Sequence, residues 1–263
     1  MLSRNSLIVG AALLLLTALA WSWLWFAPAG ADGVSRADMG AMDGMDMAGM
    51  PMPLPMPAWS ITYLSMAFLM WSVMMVAMML PSAAPMILLH ARIDRPESEI
   101  ARLGNSALFI LAYLLAWSGF AALAAVCQAL LLELGWLSRA QLALGHGVTA
   151  AALLMLAAIY EMTPAKRRCL DQCQAPLIFV HRYWRPGPAG TFRLGLRHGL
   201  FCLGCCWALM LLLFVGGVMN LAWVALLTIL VTAQKAAPPR WRAHRWTAAA
   251  LLLTALFLLL RSA

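Results

Sequence analysis

Charge is scarce in this chain. Only 11% of its 263 residues are Asp, Glu, Lys or Arg, against 64% that are hydrophobic, and the mean hydropathy is +0.84. That shortage excludes a soluble globular domain, which could not hide so much apolar surface, and points to a polytopic membrane protein whose first partner is the lipid bilayer. Also missing are a phosphate-binding loop and an aspartyl-phosphate motif, which argues against ATP-driven pumping by this chain. No internal repeat divides it into related halves. Cysteine is sparse as well: there are 6, yet all but Cys127 fall in one basic stretch near the middle.

The chain is all-α in expectation, a transmembrane helix bundle. Apolar runs at 7–27, 59–80, 105–134, 139–162, 199–215, 219–234 and 247–260 suggest about seven spans, or six if the first is a cleaved signal peptide. Trp21, Trp23 and Trp25 favour a retained anchor held at the interface. Residues 1–27 then form a signal-anchor span, 28–57 an extracytoplasmic loop rich in Met, Asp and Pro, and 58–263 a six-helix membrane domain with basic cytoplasmic loops. The net charge of +8 could signal nucleic acid, but all basic residues except Arg36, Arg139 and Arg261 fall on one side in this layout. That bias places the N-terminus in the cytoplasm and leaves no role for a nucleic-acid partner. The expected location is a bacterial inner membrane.

Proline and glycine set the expected breaks. Pro81 and Pro85 should end or kink the second span at the cytoplasmic interface. Ser138 is a candidate N-cap for the fourth span and Pro164 should stop it. The stretch 165–197 reads as a basic loop, and Gly216-Gly217-Val218 as the turn of a tight helical hairpin.

Soft ligands gather at the cytoplasmic side. Cys169 and Cys173 would share one face of a helix. His198, Cys202 and Cys206 step by four along the fifth run, with Cys205 beside them and Met210 one turn deeper. Cysteine also packs helices without binding anything, so the bland reading is reduced thiols in tight contact. Three cysteines in five residues, led by a histidine, favour a metal. Thiolate and thioether suit copper(I), zinc accepts thiolate, and an iron–sulfur cluster is a further option, although C-x2-C-C matches neither common ferredoxin spacing. Outside the membrane, Met39, Met42, Met45, Met47, Met50 and Met52 are weaker copper candidates, as are His146 and Glu161 within or near the bilayer. The stripe Met66, Met70, Met74 and Met78 reads as packing.

Three stretches carry a family likeness: MMVAMMLPSAAPM at 74–86, YEMTPAKRRCLDQC at 160–173 and GLRHGLFCLGCCWALMLLLFVGGVMN at 195–220. Together they resemble a bacterial family of uncharacterised, predicted metal-binding integral membrane proteins, over roughly residues 60 to 245. The resemblance implies a metal-binding membrane protein. The leading expectation is therefore delivery or transport of copper(I), with a metallochaperone or metalloenzyme as partner, no catalytic residues and an open oligomeric state. A membrane thiol–disulfide oxidoreductase using Cys202, Cys205 and Cys206 is the alternative from another class, and a non-catalytic accessory subunit is the third.

Overall fold

The computed structural model describes residues 4–26, 57–94, 98–138, 142–145 and 147–262. Among them the backbone is helical, with one isolated antiparallel bridge between Leu137 and Leu144. In chain order the helices are α1 (Arg4–Phe26), α2 (Ile61–Ile93), α3 (Glu99–Glu133), α4 (Gly147–Met162), α5 (Pro164–Gln174) and α6 (Pro176–Tyr183). They continue as α7 (Pro188–Leu211), α8 (Leu213–Gly216), α9 (Leu221–Ala236) and α10 (Ala243–Ser262), with a 3-10 turn at Pro239–Trp241.

Five stretches are long and apolar enough to cross a bilayer: α1, α2, α3, α7 together with α8, and α10. The pair α4 and α5, bent by 66°, makes a sixth if it is one span. The sequence suggests about seven, or six if the first is cleaved; five or six described stretches have the length and composition for it. α9 has only 16 residues, short of the usual span. The fourth run also starts late, because Ser138 caps no helix. Its N–H bonds the Ala143 carbonyl at 2.8 Å, and its carbonyl accepts from Leu142 N at 2.8 Å, so the chain turns with Leu142 at φ 50°. Helix resumes only at Gly147.

Pro81 and Pro85 do not end α2, which runs 33 residues through both. Away from water, stopping a helix strands its carbonyls, so continuing it is cheaper if the freed groups find partners. Pro81 has no N–H to offer the Ala77 carbonyl four residues back. The Trp21 indole of α1 donates there instead, at 3.2 Å. Trp21 is therefore a clamp between helices.

The stretch 165–197 is also not a loop. It holds α5, α6 and the start of α7, and Pro164, Pro176 and Pro188 each open a helix, where a missing N–H costs nothing. Thr163 caps α5, accepting from Lys166 N at 3.2 Å. The turn after α8 falls where the glycines predicted it: Gly217 has φ 90°, and Asn220 caps α9.

Glycine lets α7 approach two neighbours. A Cβ on Gly195 would stand 2.5 Å from the Phe109 carbonyl of α3, and one on Gly199 2.8 Å from Ala116 Cβ of the same helix. A Cβ on Gly204 would lie 2.7 Å from the Cys169 sulfur of α5. Small residues at such positions replace the hydrophobic drive that lipid cannot supply with close backbone packing.

Candidate metal centre

Three of the cysteines project from α7 at steps of three and four, which puts them on neighbouring parts of one helix side. Cys202, Cys205 and Cys206 are 0%, 2% and 1% exposed, so that side faces the protein interior and not lipid. α5 supplies Cys173, whose sulfur is 4.0 Å from that of Cys205. Cys205 and Cys206 sulfurs are 3.7 Å apart, and Cys206 stands 3.9 Å from the Met79 thioether of α2. Four sulfur atoms thus form an unbroken line from α5 through α7 to α2.

The spacing has chemical meaning. Sulfurs sharing one tetrahedral ion, with metal–sulfur bonds of about 2.3 Å, stand about 3.8 Å apart. Each neighbouring pair in the line could therefore hold opposite edges of an ion. Among the described residues, no three His, Cys, Asp or Glu side chains already enclose a common point. The donors are strung out and not gathered into a shell. The thiols of Cys205 and Cys206 rest on the Cys202 carbonyl, donating at 3.1 and 2.7 Å.

Cys202 has a different environment. The Lys235 ammonium of α9 donates to its sulfur at 2.9 Å and to Ser82 Oγ at 2.8 Å. The Tyr113 hydroxyl lies 3.1 Å from the same sulfur and within 3.1 Å of the Met79 carbonyl. A cation and a phenol therefore flank the Cys202 sulfur.

Other candidates fall elsewhere. Cys169 packs against Gly204, beside the line. His198 is buried in an aromatic cage, stacked on Tyr113 at 5.6 Å between ring centres, with Phe109 and Phe179 at 6.1 and 5.5 Å. Its Nδ1 has no partner. Met210 is fully buried in the apolar core. Both oxygens of Glu161 are engaged: Lys166 Nζ is 2.6 Å from one, and Gln234 Nε2 donates to the other at 3.1 Å. Met39, Met42, Met45, Met47, Met50, Met52 and His146 lie outside the described residues. All six cysteines are free thiols.

Sequence reasoning missed Met79, Tyr113, Ser82 and Lys235. Met79 was passed over because its helical phase is one residue off the stripe Met66–Met70–Met74–Met78. Lys235 and Lys166 were counted as loop charges, yet Lys235 meets a core sulfur and Lys166 is fully buried. A lysine closing an otherwise apolar helix, as in LAWVALLTILVTAQKA, is the signal that could have found Lys235.

Residues 68–258 match the profile of a family, PpoB2, described as copper chaperone, and this span covers all three stretches that carried the earlier likeness. No curated protein and no solved structure matches the chain.

Proposed function

Since this chain belongs to the PpoB2 copper chaperone family, we propose that it binds copper(I) inside the membrane and passes it along the sulfur line to a metallochaperone or metalloenzyme. One observation carries the reading: Cys173, Cys205, Cys206 and Met79 follow one another at 4.0, 3.7 and 3.9 Å in a buried seam.

Copper(I) is soft and accepts thiolate and thioether donors in low coordination. Neighbours this close allow the ion to gain its next sulfur before it leaves the last, so transfer never passes through a bare cation. Each thiol that binds gives up its proton. Two thiolates around copper(I) carry one net negative charge, and the ammonium of Lys235, on the neighbouring Cys202 sulfur, offsets it. This balance suits a monovalent ion. Met39, Met42, Met45, Met47, Met50 and Met52 would collect the ion on the extracytoplasmic side, where thioethers stay uncharged and resist protonation. His198 and Met210 on α7, and Cys169 beside Gly204, would serve as flanking donors. The positive-inside bias supports an inner-membrane location with a cytoplasmic N-terminus.

The test is copper(I) stoichiometry, by chelator competition on untagged full-length protein. A Cys173/Cys202/Cys205/Cys206→Ser variant is expected to lose high-affinity copper while keeping its helical spectrum. Equal binding by both proteins contradicts the proposal.

A further inference from the structure

At the far side of α5 from the sulfur line, two concavities meet. The first is a cleft of about 220 Å³ between α5, the 3-10 turn and the start of α10, lined by Arg167, Arg242, Arg245, His244 and Asp171 among others. The second is an open groove of about 880 Å³ between α9 and α10, lined by Leu230, Ala233, Trp241, Trp246 and Ala250. Pro238 and Ala243 line both, so one runs into the other.

We propose that this joined pocket is a binding site for one anionic phospholipid, its phosphate headgroup in the cleft and an acyl chain in the groove. Three guanidinium groups border the cleft against a single carboxylate, so it carries net positive charge. None of the three arginines forms an ion pair among the described residues. Basic pockets between helices at the membrane surface hold such headgroups, each basic contact adding about 1 kcal/mol. The groove is apolar and open to the outer face of α10, which is the face lipid would wet. Trp241 and Trp246 are 62% and 76% exposed beside it, as indoles are at the boundary between headgroups and hydrocarbon. An acidic peptide would satisfy the arginines but not the apolar channel that continues from them.

The site has a structural consequence. Gln174, on the cleft wall, donates to the carbonyls of Gln234 and Ala237 at 2.8 and 3.1 Å. A lipid seated there braces α5, which bears Cys173, against α9, which bears Lys235. The lipid site itself does not depend on copper.

The experiment uses full-length protein, stripped of lipid in a neutral detergent. Retained lipid is read by native mass spectrometry and thermal unfolding is followed by circular dichroism, with phosphatidylglycerol, phosphatidylcholine or inorganic phosphate added. Phosphatidylglycerol is expected to bind one per chain and raise the unfolding midpoint, while the other two leave it unchanged. An Arg167→Gln/Arg242→Gln/Arg245→Gln variant is expected to retain it about a hundredfold more weakly. Ala233→Trp, which fills the groove and keeps the charges, is expected to lose the shift as well. This second variant decides the matter if the first does not fold. An equal shift from phosphatidylcholine or from phosphate overturns the proposal, and so does a phosphatidylglycerol effect that survives in the folded variants.

Discussion

Two polar seams run through this apolar bundle, and both use α5. In one, Glu161, Lys166 and Gln234 close a ring: Lys166 Nζ reaches Glu161 at 2.6 Å and Gln234 Oε1 at 2.8 Å, while Gln234 Nε2 reaches Glu161 at 3.1 Å and Thr247 at 2.8 Å. Every strong donor and acceptor there has a partner within the protein. In the other, Cys173, Cys205, Cys206 and Met79 meet only as weak sulfur contacts near 4 Å. The ring is complete without a ligand, and the sulfur line is the seam proposed to take one. Buried polar groups can thus differ in kind: a satisfied network of charges and amides fixes helices, whereas a row of soft sulfur donors has the chemistry to accept a soft ion.

Breaking the ring should have the largest effect on stability. Lys166→Met leaves Glu161 buried without its cation, and a loss of roughly 3–5 kcal/mol is expected, read as a fall in thermal midpoint and in folded yield. Copper bound per folded chain should not change; a proportionate fall in copper would merge the two seams into one.

Next comes the sulfur line. Cys205→Ser removes the member that links Cys173 to Cys206, and should weaken copper(I) binding by about a hundredfold or more with little change in thermal midpoint. If unfolding shifts and copper does not, the cysteines are packing residues.

Gly204→Ala tests the join between α5 and α7. Its new methyl would press on the Cys169 sulfur, at an expected cost of about 1–3 kcal/mol, and should also reduce copper affinity by moving α5 off the line. Unchanged affinity would show that the α5 thiol is dispensable.

The smallest effect is expected at the contact between α1 and α2. Trp21→Phe keeps the ring packing but strands the Ala77 carbonyl freed by Pro81, a loss of about 1 kcal/mol in unfolding with copper binding intact. No change would mean that water or another group takes over.

Helix positions were legible wherever one local rule governed them. Pro164 marked a break, Gly217 a turn, and the cysteine spacing a helix face, because each depends on residues within one or two turns. Pro81 misled because the partner that rescues the helix, Trp21, lies 56 residues away and on another element. The stretch 165–197 looked like loop because its basic residues outweighed its periodicity, although Pro176 and Pro188 within it sit at helix starts. At the centre, Cys202, Cys205 and Cys206 could be singled out from sequence. Their partners Met79, Tyr113 and Lys235 could not, since pairing across helices is set by glycine contacts such as Gly199 on Tyr113 and Ala116.

X-ray absorption at the copper edge, on full-length protein loaded with one copper(I), tests the central claim most directly. A first shell of sulfur only is expected, at about 2.2–2.3 Å, losing a scatterer in Cys206→Ser. A shell dominated by nitrogen or oxygen, or one unaltered by that substitution, would contradict it.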